Sequence, residues 1–396
     1  MKLADTYMFH TYARFPITLV RGEGCRVWDE DGNEYLDFVG GIAVCALGHS
    51  SPVVTRALEA QSRRLVHVSN LYYTRPQAEL ARLLVENCFA DKVFFCNSGA
   101  ESNEAAIKLA RRYASEAFKP EKRVIVCMDN SFHGRTMATL SATGQAKVQK
   151  GFDPLLHGFT FVPFNDVGRL EQAMDESVCA VMMEPIQGEG GVVCPSPDYL
   201  NAVRSLCDQK DALLIFDEVQ VGMGRTGKLF AHEHYGVTPD IMTLAKALGN
   251  GLPIGAMLAT DAVAGAFGPG SHATTFGGTP LVAAVSNAVV SELLDGGWVD
   301  HCREVGDHFR QGLEGLVERH ALALGVRGLG LILGLELDIP GGPLVKYCMD
   351  AGFLINCAQE NILRFLPPLI VGKDEIDSLL STLDNVLAKA AKLVEE

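Results

Sequence analysis

The stretches ALLIFDEVQ (212–220) and PDIMTLAKALGNG (239–251) read as two buried strands separated by a glycine-rich linker. The first is an apolar run that stops at Asp217 and Glu218, the way a buried parallel strand delivers a carboxylate to its C-terminal edge. The second, 241–244, ends in Ala245, Lys246 and a glycine-rich turn. Open α/β sheets bind ligands just beyond the carboxyl ends of their strands. An acid and a lysine on two strand ends fit a ligand with a basic ring nitrogen and a reactive aldehyde, the two features of pyridoxal 5'-phosphate (PLP). Taken singly, each residue has a plainer reading, a helix cap for Asp217 and a solvated side chain for Lys246.

The chain has 396 residues, 48% apolar and 21% charged, enough for one large domain with a smaller companion. Its net charge of -14 argues against nucleic acid or an anionic membrane as partner. An anionic ligand must then be held by locally placed Arg, Lys and backbone N–H groups. Glycines cluster at 188–191, 222–227, 249–251, 268–270 and 277–278, as in tight turns near a ligand. The 11 cysteines include no CxxC pair, and Cys96, Cys127 and Cys179 lie inside apolar runs. That is the usage of free thiols in a reducing compartment rather than a disulfide or zinc framework. No apolar run reaches the ~18 residues of a membrane span, and MKLADTYMFHTYARF (1–15) has no signal-peptide core. These features predict a cytoplasmic protein with no metal centre.

Along the chain, Asp31 and Gly32 between two alternating runs predict a hairpin, and Ser51-Pro52 a helix start. From residue 76 strands alternate with helices: strands at 93–96, 123–128, 159–163, 180–184, 213–216, 241–244 and 256–259, helices at 77–88, 101–118, 167–175 and 198–210. The alternation predicts an α/β fold with a large doubly wound, mostly parallel sheet. Asp374 is the expected cap of a last helix with Ile376, Leu379, Leu380, Leu383 and Leu387 at helical spacing. The expected organisation is a large ligand-binding domain at 51–295 and a smaller α+β domain at 296–396, with the 1–50 segment packing against the latter.

Several constellations carry possible chemistry. Asn97-Ser-Gly-Ala-Glu101 follows a strand and opens a helix, so Ser98, Gly99 and Ala100 can cradle a phosphate, while Ser98 and Glu101 also form a plain capping box. Phe132 can stack on a flat ring, and Arg135 can hold a carboxylate bidentately. Glu184 ends a strand, and Glu189 lies in a glycine loop. Thr274 and Thr275 offer hydroxyls ahead of a helix. Arg364, inside an apolar strand, needs an anionic partner.

In order, NSGAESNEAAIKLAR (97–111), FHGRT (132–136), EPIQGEGG (184–191), DEVQ (217–220), GRTG (224–227), LAKALGNGLPIGA (244–256), TTFGG (274–278) and RFLPP (364–368) resemble the motifs of the class III, fold type I, PLP-dependent aminotransferases. The resemblance spans essentially the whole chain. It implies a fold type I PLP-transferase, with a small domain built from both termini. It implies that Lys246 links to the cofactor aldehyde and then serves as general acid and base. Asp217 would keep the ring nitrogen protonated, Gln220 would lie near the ring's 3'-oxygen, and Phe132 would stack on the ring. Ser98, Gly99 and Ala100 would cup the phosphate together with Thr275 of a neighbouring subunit, giving a homodimer with shared active sites.

The resemblance also implies a substrate side. Arg135 would grip a substrate carboxylate, with Thr274 beside it. Glu189 and Arg364 would act as a gate, paired to each other with an ornithine derivative bound. With glutamate bound, Arg364 would be released to take the α-carboxylate while Arg135 takes the distal one. GIAVCALG (41–48) resembles the acetylornithine aminotransferase branch: Ile42 falls where ornithine aminotransferases carry a substrate-facing tyrosine, and Cys45 departs from the Asn or Thr expected there. The implied reaction moves the terminal amino group of N2-acetyl-L-ornithine to 2-oxoglutarate, giving N-acetyl-L-glutamate 5-semialdehyde and L-glutamate, as in arginine biosynthesis. Succinylornithine, succinyldiaminopimelate, ornithine and 4-aminobutyrate aminotransferases share the scaffold. A non-catalytic PLP-fold binding protein is the alternative of a different class, and Lys246 stands against it.

Overall fold

The computed structural model describes residues 2–395. Leu19–Glu23 (β1), Arg26–Asp29 (β2) and Glu34–Asp37 (β3) form an antiparallel meander. The expected hairpin joins β2 to β3: Gly32 takes φ 86°, and Asp29 Oδ1 accepts from the Asp31 and Asn33 amides at 3.1 and 2.8 Å. Beyond β3 the backbone makes a left-handed turn, with φ of 54° at Gly40, 65° at Gly41, 65° at Ile42 and 62° at Ala43. That conformation is costly for Ile42 and Ala43, which carry a Cβ. Asp37 secures its entry, since Oδ1 accepts from the Val39 and Gly40 amides at 2.8 and 2.9 Å.

The central sheet is built from Lys92–Cys96 (β4), Val124–Met128 (β5), Phe159–Val162 (β6), Val178–Met183 (β7), Leu213–Asp217 (β8), Ile241–Leu244 (β9) and Gly255–Ala259 (β10). Its seven strands run in the order β4-β10-β9-β8-β7-β5-β6. The pairs from β9 to β6 are parallel, and β10 is antiparallel to both β4 and β9. The sheet is thus mostly parallel, as expected. The reversed β10 was not legible in the sequence because an apolar strand has the same pattern in either direction.

Every residue of β7 and β8 is buried. On one face Ile125, Cys127, Met182 and Ile215 cluster with Ala106, Leu109 and Ala110 of the helix Gly99–Ala117. On the other, Val126, Met128, Val181, Leu214 and Phe216 cluster with Leu200 and Val203 of the helix Tyr199–Gln209. Successive strand residues feed opposite helical layers, which explains why these strands read as unbroken apolar runs. Each large side chain so buried contributes about 1.5–3 kcal/mol.

Further along lie Ala323–Leu329 (β11), Ile332–Leu337 (β12), Phe353–Leu354 (β13), Asn356–Ala358 (β14) and Ile362–Phe365 (β15). Strands β11-β12-β15-β14 make an antiparallel sheet. Strand β13 pairs in parallel with β3, so strands from both ends of the chain share a sheet. The final helix, Lys373–Glu395, begins one residue before Asp374. Glu375 rather than Asp374 serves its start, accepting from the Gly372 amide at 2.9 Å, because a carboxylate at the third helical position reaches back to the cap amide. Among the described residues no helix is long and apolar enough to cross a membrane, and no acidic, His or Cys cluster is arranged to hold a metal ion.

Candidate active site

A cavity of about 470 Å³ opens at the carboxyl ends of β4, β5, β7, β8 and β9. Ser98, Gly99, Ala100, Phe132, Arg135, Glu189, Asp217, Gln220 and Lys246 all line it. Sequence positions spread over some 150 residues therefore converge because each follows a strand of one sheet.

Asp217, the last residue of β8, is 4% exposed. Its Oδ2 accepts from Asn103 Nδ2 at 2.7 Å and from His133 Nδ1 at 2.8 Å, and its Oδ1 from the Val219 amide at 3.0 Å. Thr243 Oγ1 in turn donates to Asn103 Oδ1 at 2.7 Å. These donors fix the carboxylate at the cavity wall, where it can accept from a protonated ring nitrogen.

Lys246 follows β9 and takes φ 43°, a strained conformation for a residue with a side chain. Burial pushes its amine down to about 8; Glu189 pulls it up and Arg364 pushes it further down. An amine with a large neutral fraction near pH 8 can attack a carbonyl and carry a proton. Glu184, one residue past β7, is buried and accepts from the Phe132 amide at 3.1 Å. Burial, reinforced by the Asp217 charge, raises its carboxyl well above the ordinary range.

Arg364 lies on β15, between Gly334 and Asn356 of its neighbours in the sheet. It finds the anionic partner that an arginine in an apolar strand requires. Its Nη1 donates to Glu189 Oε1 at 2.6 Å, and its Nε to Asn356 Oδ1 at 3.1 Å. Burial opposes ionisation of Glu189, but the Arg364 charge and hydrogen bond outweigh it and hold the carboxyl below its usual range. Gln220 Nε2 donates to the same Glu189 oxygen at 3.2 Å, leaving Gln220 Oε1 buried without a partner.

Ser98 caps the helix Gly99–Ala117 as expected, its Oγ accepting from the Glu101 amide at 3.2 Å. Glu101 Oε2 reaches back to the Asn97 amide at 2.7 Å, one residue beyond the usual capping-box partner. A Cβ at Gly99 would lie 2.7 Å from Val219 Cγ1, so this first turn has room for glycine alone. The start of so long a helix presents free N–H groups and the positive end of its dipole to the cavity.

Three expected residues are outside that lining: Arg364, which reaches it only through Glu189, and two threonines. Thr274 and Thr275 line a separate depression with Ser69, Tyr73 and His272. Thr274 Oγ1 still touches the cavity's edge indirectly, accepting from Asn97 Nδ2 at 3.2 Å. Around Thr275 the apolar side chains of Leu71, Tyr73 and Phe276 are 84%, 105% and 61% exposed. Arg135 is exposed at the cavity mouth, its guanidinium 5.6 Å from the Phe132 ring centre.

His133, Asn103 and Thr243 are site residues beyond those expected from the sequence, and Glu184 is a strand-end acid for which the motifs imply no role. A signal existed for two of them. Asn103 is a polar residue on the buried stripe of a helix, one turn beyond Gly99, and His133 sits within the FHGR motif already singled out.

A family model described as "Aminotransferase class-III" matches residues 7–387. This chain belongs to the class III aminotransferases. As a class III aminotransferase it is 53% identical over 384 residues to an acetylornithine aminotransferase of Caldanaerobacter subterraneus, covering 97% of this chain and 98% of that one. It is 50% identical over 393 residues to an acetylornithine aminotransferase of Methanocaldococcus jannaschii, covering 98% of each. Among solved structures, the N-acetylornithine aminotransferase from Stenotrophomonas maltophilia superposes with a TM-score of 0.86 at 40% identity over 99% of both chains. The ornithine aminotransferase from Toxoplasma gondii superposes with a TM-score of 0.95 at 34% identity, covering 99% of this chain and 94% of that one. The protein is a transaminase, and class III membership implies PLP. The cavity fits that group on its own evidence: a wall-fixed carboxylate, an amine of lowered basicity, an unsatisfied buried acceptor on Gln220 and a helix start with no room for a Cβ at Gly99.

Proposed function

We propose that this enzyme transfers the terminal amino group of N2-acetyl-L-ornithine to 2-oxoglutarate, giving N-acetyl-L-glutamate 5-semialdehyde and L-glutamate, a step of arginine biosynthesis. The observation that carries the reading is the Glu189–Arg364 pair at 2.6 Å, in which Arg364 holds the Glu189 carboxylate that lines the cavity with Lys246 and the exposed Arg135. One positive group is masked and another is open, which suits a donor with one carboxylate to be gripped. Relatives named acetylornithine aminotransferases at about 50% identity over nearly the full chain support the same substrate.

When bound, PLP supplies an aldehyde for covalent attachment and a ring that takes up electron density. In this reading Asp217 holds the proton on the ring nitrogen, and Asn103 and His133 keep Asp217 aimed. Phe132 covers the ring, Gln220 uses its free Oε1 towards the 3'-oxygen side, and Ser98, Gly99 and Ala100 hold the phosphate at the helix start. Lys246 anchors the cofactor and moves the proton at the substrate carbon. Arg135 grips the acetylornithine carboxylate at the mouth, with Thr274 contributed nearby. When glutamate enters, Glu189 releases Arg364 to take the α-carboxylate, so one cavity serves a monocarboxylate and a dicarboxylate in turn. Thr275, outside the cavity of its own chain and ringed by exposed apolar groups, completes the phosphate site of a second copy in a homodimer.

A half-reaction panel tests the substrate. Acetylornithine should convert the cofactor fastest, ahead of succinylornithine, ornithine and 4-aminobutyrate. A faster half-reaction with ornithine or 4-aminobutyrate contradicts the reading.

A further inference from the structure

The carboxyl groups of Glu184, Glu189 and Asp217 all line the active-site cavity. Two of them are matched by strong donors. Asp217 accepts from Asn103 Nδ2, His133 Nδ1 and the Val219 amide. Glu189 accepts from Arg364 Nη1 and Gln220 Nε2. Glu184 is 6% exposed, yet its one hydrogen bond among the described residues comes from the Phe132 amide, to Oε2 at 3.1 Å. No Lys, Arg or His among the described residues pairs with it. Its Oε1 has no partner and is not sealed within the protein, so it opens on the cavity that Glu184 lines.

A buried carboxylate with one amide donor is costly to ionise, and more so beside other negative charges. Asp217 at the end of β8 and Glu189 on the loop after β7 both repel the ionised form of Glu184, and Lys246 after β9 draws it out only weakly. The remaining cations are committed or distant: His133 to Asp217, Arg364 to Glu189, and Arg135 out at the mouth. Of the three acids, Glu184 is therefore the one that keeps its proton. The two arginines then stand against two ionised acids, and a third negative charge would tip the cavity against an entering dianion.

We propose that Glu184 is a specificity-determining residue, carried as a neutral acid that holds Phe132 by its amide and leaves the cavity open to a dicarboxylate. One oxygen accepts from Phe132, and the carboxyl O–H is left to donate to a carboxylate entering the cavity. Loss of the proton at alkaline pH removes that donor and adds a charge that repels a dianion more than a monoanion. The inference rests on the dicarboxylate half-reaction proposed above.

The test compares native holoenzyme with Glu184→Gln, which is neutral at every pH and keeps an oxygen for the Phe132 amide. At neutral pH its kcat and its KM for 2-oxoglutarate should lie within ~threefold of wild type. At alkaline pH the wild-type KM should rise by about tenfold relative to that of Glu184→Gln, as one added like charge at close range requires, with the kcat ratio unchanged. Lys246 titrates in both proteins, so the ratio isolates Glu184. Binding of glutarate, a dicarboxylate with no group to react, should show the same divergence, and it fails separately from the choice of 2-oxoglutarate as substrate. Infrared spectra at neutral pH should show a protonated carboxyl band in wild type that Glu184→Gln lacks. A larger KM rise in Glu184→Gln at neutral pH, parallel pH profiles for both dicarboxylates, no glutarate binding by wild type, or no band difference would overturn the proposal.

Discussion

Arg364 of β15 and Glu189 of the glycine loop after β7 meet at 2.6 Å, joining two separate sheets behind the cavity wall that Glu189 lines. Glu189→Ala leaves the Arg364 guanidinium, 2% exposed, without its anion. Arg364 should then attract dicarboxylates at all times. The ratio of glutamate to acetylornithine half-reaction rates should rise at least ~tenfold, the worth of about 1.4 kcal/mol in a charge-assisted contact. Stopped-flow spectra of the two half-reactions measure it, and an unchanged ratio removes the gate. The stability loss should fall at or below the low end of about 3–5 kcal/mol, because Glu189 keeps 31% of its side chain exposed.

Burial sets the working range of Lys246. Its amine is pushed down to about 8 from an ordinary 10.5, and only the neutral amine attacks an aldehyde. The rate at which apoenzyme recaptures PLP should climb as pH rises towards 8 and level off above it. A rate still rising steeply beyond pH 9 would show an ordinary lysine.

The donors behind Asp217 make separable predictions. Asp217→Asn keeps the shape and loses the charge facing the ring nitrogen, so kcat should fall about 10²–10³-fold with PLP still bound. His133→Gln keeps a donor near Asp217 and acts only through it, so its loss should be about tenfold. Spectra and steady-state rates at saturating PLP distinguish the two; an equal loss would mean that His133 has a role of its own.

The position of Thr275 outside its own cavity predicts subunit complementation. Chains carrying Lys246→Ala and chains carrying Thr275→Arg should each be inactive alone and recover activity when mixed and refolded together. The hybrid then holds one site with an intact Lys246 and an intact Thr275 from opposite chains. No recovery would place Thr275 in the site of its own chain or outside any site.

Strand-end chemistry was legible because β8 and β9 are buried on both faces: an apolar run that stops at Asp217 or just before Lys246 marks a sheet edge whatever the tertiary detail. The Ser98 cap was local for the same reason. What lay beyond the sequence depends on contacts distant in the chain. The Asn103–Asp217 bond spans 114 residues and the Thr243–Asn103 bond 140, and neither leaves a periodic trace. The left-handed turn at Gly40–Ala43 was hidden because Ile42 and Ala43 are not residues that favour positive φ; Asp37 and the packing of Ala43 among Ile186, Val221 and Leu366 hold it in place.

The central claim is that this cavity binds PLP covalently through Lys246. Borohydride treatment of the purified enzyme followed by peptide mass mapping tests it most directly. A phosphopyridoxyl group on the peptide containing Lys246, with loss of the visible cofactor absorbance, is the predicted result. An unmodified Lys246, or the label on another lysine, would contradict the account.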